Sequence, residues 1–161
     1  MLTPKTAPYA STEVDAEKTQ AEINKLLRSY GITKYQWTTD WSENRVRLRF
    51  AIEEQPGKFV PIEIEPAMFL KKHLQYNRLT GKNSYIEAPN WAQSMRLLKS
   101  YLKAKLEAIA YGLKEVRTEF MADIIIKDGH GGETTMGKAM LKQLPFSKGT
   151  EALELGPGGK G

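Results

Sequence analysis

The spacing of apolar residues along this chain switches from threes and fours to twos and back, and each switch predicts an element. Thr19, Ile23, Leu26, Leu27 and Tyr30 lie on one face of a helix that opens near Ser11 or Thr12 and stops at Gly31. Asp15, three residues after Thr12, makes a short-armed capping box, and glycine suits the position just past a helix end. From Lys34 to Thr39 the pattern alternates, with Tyr35 and Trp37 on one side, and Asp40 to Asn44 then forms a turn. Arg45 to Glu53 alternates more cleanly. Val46, Leu48, Phe50 and Ile52 point one way while Arg45, Arg47, Arg49 and Glu53 point the other, as in a sheet with one buried and one wet face.

Gln55-Pro56-Gly57 follows as a hairpin loop, and its length predicts a register in which Ile52 faces Val60, Phe50 faces Ile62 and Leu48 faces Ile64. The same register sets Arg49 opposite Glu63 and Arg47 opposite Glu65, so the arginine row is expected to be neutralised by its neighbours rather than offered to a partner.

Pro66 ends the sheet run. For residues 67–76 the expectation is a short helix, then a glycine-containing surface loop. The helical period then returns at length: Trp91, Met95, Leu98, Leu102, Leu106, Ile109 and Leu113 recur at threes and fours, predicting a helix from Trp91 to about Tyr111, capped by Asn90 or Ser84 and ended by Gly112. A stripe this wide is a lid for the sheet, although a helix of this length could also form a dimer seam. A short helical segment near Lys114 to Met121 leads to Ala122–Lys127, where Ile124, Ile125 and Ile126 predict a fourth, well-covered strand. A small helix is expected from about Thr134 to Leu144.

The architecture is thus α+β: an N-terminal helix, a three-stranded antiparallel meander, a long covering amphipathic helix, a fourth strand and a short C-terminal helix. Residues 11–146 form the expected domain. Residues 1–10 are expected to be a flexible arm, and residues 147–161 a flexible glycine-rich tail. At 161 residues and 40% hydrophobic content there is material for one core. The N-terminus lacks the apolar segment of a signal peptide and no run is long enough to span a bilayer, so the expected location is cytoplasmic, away from the membrane.

Charge changes the picture because it is concentrated. Residues 67–114 hold nine Lys/Arg and two acids, while the rest of the chain holds fifteen basic and seventeen acidic residues. The segment from Ala67 to Ile86 has no acid at all, and there Lys71, Lys72, Arg78 and Lys82 mix with Tyr76 and Tyr85. Cations that track a phosphate backbone, interleaved with rings that stack on bases, are the chemistry of nucleic-acid binding. Arg96, Lys99 and Lys103 extend this set along the long helix, with only Glu107 close enough in sequence to compensate them.

Catalytic chemistry finds less support. There is no cysteine and only two histidines, His73 and His130. Gly132-Glu133-Thr134-Thr135-Met136-Gly137-Lys138-Ala139 follows a strand and opens a helix as a phosphate-cradling loop would, but alanine stands where a hydroxyl should bind magnesium. Glu63, Glu65, Asp123 and Asp128 have no diagnostic metal-ligand spacing. No catalytic residue, metal or cofactor is therefore assigned.

A helix ending in Tyr30-Gly31, the arginine-alternating strand, Leu102-Lys103-Ala104-Lys105-Leu106-Glu107-Ala108-Ile109, and Phe120-Met121-Ala122-Asp123-Ile124-Ile125-Ile126-Lys127-Asp128-Gly129 together resemble a group of small uncharacterised proteins of bacteriophage and prophage genomes. The resemblance covers about a third of the chain and implies phage origin without implying an activity. Residues 67–90 depart from that pattern. The reading that results is a non-catalytic, sequence-nonspecific nucleic-acid-binding accessory protein of phage type. Two alternatives stand beside it: a module that docks its basic face on an acidic host protein, and an enzyme that uses the Asp128–Lys138 loop on a phosphorylated substrate.

Overall fold

The computed structural model describes residues 7–143. Helix α1 spans Ala16–Ser29, one turn later than the capping pattern predicts. The Thr12 hydroxyl accepts instead from the Val14 amide at 3.3 Å inside a turn closed by Thr12 N–H to the Tyr9 carbonyl. Asp15 takes the N-cap position, its backbone carbonyl accepting from Thr19. At the other end Gly31 adopts φ +75°, and the amides of Gly31 and Ile32 bond back to the carbonyls of Arg28 and Leu27. This is the paired-bond ending that a left-handed glycine permits.

Strands β1 (Lys34–Asp40), β2 (Arg45–Gln55) and β3 (Lys58–Ile64) form an antiparallel meander in that order. The expected register holds, with Leu48 opposite Ile64, Phe50 opposite Ile62, Ile52 opposite Val60 and Arg49 opposite Glu63. It holds because a one-residue slip would turn the whole apolar row to water. The long helix α2 (Trp91–Ala110) is capped by the Asn90 side chain and ends where Gly112 turns left-handed. Leu113 lies past that end and is exposed, so it drops out of the stripe.

The core gathers Ile23 and Leu27 of α1, Leu48, Phe50, Val60, Ile62 and Ile64 of the sheet, and Met95, Leu98, Leu102 and Leu106 of α2. The stripe of α2 is consumed inside its own chain, so it is not a free dimer seam. A four-residue helix, α3 (Val116–Glu119), brings in Phe120, fully buried and edge-on to Phe50 with ring centroids 5.7 Å apart.

Two predicted regions differ. The fourth strand is not a covered member of the main sheet: Ile124 touches β3 through one bridge to Ile62, and β6 (Ile125–Lys127) pairs with β7 (Glu133–Thr135). Only three residues separate Ile124 from Asp128, where the chain turns back, so a longer ladder has no residues to use. The terminal helix α4 is shorter than predicted, Met136–Leu141; its expected end at Leu144 and the tail from residue 147 lie outside the described residues. Pro8 and Tyr9, assigned to the arm, are fastened to α2 through Gln93 and Ser100.

The larger difference is at residues 70–89, where a helix and loop were expected. Strand β4 (Leu70–Asn77) and strand β5 (Lys82–Pro89) pair only with each other. Every residue from Leu70 to Glu87 is exposed, so this ribbon stands clear of the domain.

Two outcomes follow. Leu102→Ala is expected to cost about 2–5 kcal/mol, read as a shift in urea midpoint, because the side chain is wholly enclosed. Since Leu70 and Pro89 are already paired at the base, replacing residues 71–88 by a short glycine-serine turn should move the thermal midpoint by less than about 4 °C. A collapse of the fold would show that the ribbon is structural.

Candidate nucleic-acid interface

Sequence alone can explain the ribbon once its turn is recognised. The Asn77 side-chain oxygen accepts from the amides of Leu79 and Thr80, and the Gly81 amide closes back on the Asn77 carbonyl at 2.8 Å with φ +66°. An Asx turn followed by a left-handed glycine reverses the chain in four residues. Two eight-residue strands then pair without slippage from Asn77 opposite Lys82 to Leu70 opposite Pro89. At about 3.3 Å per residue each strand reaches about 26 Å. The signal was present as a glycine-containing loop between two short runs, but Leu70 and Leu74, four apart, also fit a helix.

Facing residues share a side of the ribbon. One side carries Leu70, Lys72, Leu74, Tyr76, Asn83, Tyr85 and Glu87; the other carries Lys71, His73, Gln75, Asn77, Lys82, Ser84 and Ile86. Tyr85 faces Leu74, which makes Tyr76 its diagonal neighbour, and both rings are open, at 61% exposure for Tyr76 and 74% for Tyr85. Lys71 and Lys82 occupy the opposite side, and Arg78 sits in the loop. Among the described residues none of Lys71, Lys72, Arg78 and Lys82 has a carboxylate at ion-pairing distance.

The other predicted cations are elsewhere and otherwise engaged. Arg96 and Lys99 both reach Glu22 of α1 at 2.6 Å, a pairing across more than seventy residues that no local spacing reveals. Hydrogen bonding from Lys99 is the largest influence, and with the charges of Lys99 and Arg96 it outweighs the opposing effect of burial and holds the Glu22 carboxyl below its ordinary value. Lys103 sits 3.7 Å from Glu107. With Tyr9, Ser11, Thr12 and Ser100 these cations line a cleft of about 490 Å³. The nine predicted residues therefore fall into two groups: six on the ribbon, three on a helix edge already clasped by acids.

The outer face of the meander is neutralised, with one exchange of partners. Arg49 binds Glu63 at 2.6 Å and Glu133 at 2.8 Å. Glu65 does not meet Arg47; it is held by Arg45 at 2.6 Å and by Lys138 at 3.2 Å. Burial pushes the Glu65 carboxyl up, but hydrogen bonds from Arg45 and Lys138 outweigh it and keep the group below its usual range. Glu65 lies beyond the end of β3, so it leans to the neighbouring cations, and the Arg47 Nε is left buried without a hydrogen-bond partner among the described residues.

The glycine-rich loop is filled by its own acid. The Asp128 carboxylate accepts from the amides of His130 and Gly132 at 3.0 and 2.7 Å, the donors a phosphate would need. Lys138 is turned to Glu65. Tyr101, 3.3 Å from Asp123, has its hydroxyl pushed up by burial, as is the Asp123 carboxyl, while Lys105 binds Glu119. These groups close on one another, and the described residues contain no cluster of potential metal ligands.

Because its partners lower the Glu22 pKa in the folded state, the clasp contributes stability above the ordinary carboxylate value of 4.5 and loses it as pH falls through and below that value. Glu22→Gln should therefore melt below the parent at pH 7, and the two curves should converge in acid. A gap independent of pH would show that Glu22 acts by packing alone.

No protein-family model matches the chain, and no curated protein and no solved structure matches it either.

Proposed function

We propose that the protein binds nucleic acid through the β4–β5 ribbon, as a non-catalytic accessory protein of phage type that contacts the phosphate backbone without reading sequence. The observation that carries this reading is a projecting hairpin, exposed from Leu70 to Glu87, that holds four Lys/Arg and one acid. An isolated two-stranded hairpin is at best marginally stable in water, and one that buries nothing in its own domain is suited to contact with something else. Lys71, Lys72, Arg78 and Lys82 are spread over both sides and the tip, so a strand lying along the ribbon would meet positive charge throughout. Tyr76 and Tyr85 offer ring faces to bases on one side.

Within this reading Arg96, Lys99 and Lys103 are secondary, since Glu22 and Glu107 screen them. The phage context rests on the sequence resemblance. The alternative, docking on an acidic protein, draws on one feature: among the described residues both outer edges of the ribbon are unpaired and open to an added strand.

Binding of a fluorescent oligonucleotide should weaken steeply with salt, with a log–log slope near −3 if about three to four phosphates are neutralised. Lys71→Glu with Lys72→Glu should flatten that slope by about 2, and the turn-replaced variant lacking residues 71–88 should lose binding while remaining folded. Undetectable binding at low salt, or binding unchanged by removing the ribbon, would sink the proposal. Recovery of an acidic protein after nuclease treatment, dependent on the ribbon, would favour the alternative.

A further inference from the structure

The tip of the ribbon carries a residue that backbone tracking does not use. Leu79 is 98% exposed, the most open of the large apolar side chains among the described residues. Its position is built rather than loose, because the Asn77 side chain holds the amides of Leu79 and Thr80 and the Gly81 amide locks the far side of the loop. A loop pinned in this way resists folding the leucine back onto its own strands. Arg78 precedes it and Lys82 opens the returning strand, so an apolar group is presented between two cations at the end of a basic arm.

We propose that Leu79 is a wedge that enters between stacked base pairs of duplex DNA from the minor-groove side and kinks the helix. This rests on the nucleic-acid reading of the ribbon given above and names its substrate as the duplex form. The matching surface is anionic outside and apolar within, which describes a base-pair step between phosphates. An anionic membrane also has that profile, but the arrangement of charge disfavours it. Lys71 stands about 20 Å up the strand from the tip, beyond the ~10 Å over which a membrane touched by the tip would attract it. A ribbon seated edge-on in the minor groove has a phosphate strand on either side, so Lys71 and Lys82 on one face, Lys72 on the other and Arg78 at the tip meet phosphates together. A single strand offers no held stack to open, so the wedge would gain nothing there.

The test uses the full chain at low salt and a duplex of about 20 base pairs, more than twice the span of the ribbon, with 2-aminopurine at a central step and dyes at both ends. The parent protein should raise 2-aminopurine emission and shorten the end-to-end distance. Leu79→Ala should bind within about threefold of the parent with the same salt slope, yet lose the emission rise and the bend, because phosphate contacts survive and unstacking does not. Leu79→Phe should keep both signals. Equal emission for the parent and Leu79→Ala, binding without any rise, or binding confined to the single strand would overturn the wedge while leaving the nucleic-acid reading intact. Failure to bind either form would overturn both, and Leu79-dependent binding to vesicles with anionic headgroups, without unstacking of DNA, would assign the tip to lipid instead.

Discussion

The apolar stripe of α2 is the constraint on which the rest depends. Leu98, Leu102 and Leu106 must be covered, and among the described residues the inner face of the meander, the buried side of α1 and Phe120 cover them. A three-stranded sheet with one bare apolar face would not stand alone, nor would a helix with this stripe in water. Their mutual burial places α1 beside α2, which in turn brings Glu22 to Arg96 and Lys99. Phe120 then closes the end of the core against Phe50, so the small β6–β7 hairpin and α4 are anchored by the chain that follows it.

That packing sorts the basic residues into two populations. Several cations on elements that join the core pair with acids of other elements, as Arg45, Arg49, Arg96, Lys105 and Lys138 do. Exposed pairs of this kind contribute little stability, but they neutralise the surface they occupy. Cations on the ribbon form no ion pair among the described residues, although Glu87 faces Lys72 across the two strands. Part of the positive charge of residues 67–114 is thus carried on one projecting arm, where four Lys/Arg stand against one acid.

The meander was legible because its signals are local and mutually checking. A period of two, a loop containing glycine and opposite charges on the outer face all point to one register. The ribbon was less legible. Its faces are mixed rather than cleanly apolar and polar, since Lys72 shares a side with Leu74 and Tyr76, and a strand with no buried face has no reason to alternate. The Glu22 clasp left no trace in the sequence, as its partners are far apart along the chain. The strand expected within Ala122–Lys127 is present, but its pairing was not legible, because three isoleucines in a row indicate burial, not what buries them.

By itself the sequence determined the α+β class, the order of elements outside residues 70–89, the three-stranded register, the extent and caps of α2, and the segment where charge and aromatic residues concentrate. Each of these depends on interactions within one turn of helix or between adjacent strands. The tertiary structure decided that Lys71, Lys72, Arg78 and Lys82 form no ion pair among the described residues while Arg96 and Lys99 are clasped, that Arg47 loses Glu65 to Arg45 and Lys138, and that Asp128 fills the loop a phosphate would need. Pairing of charges distant in sequence follows from which surfaces the core brings together, and only the folded chain specifies that.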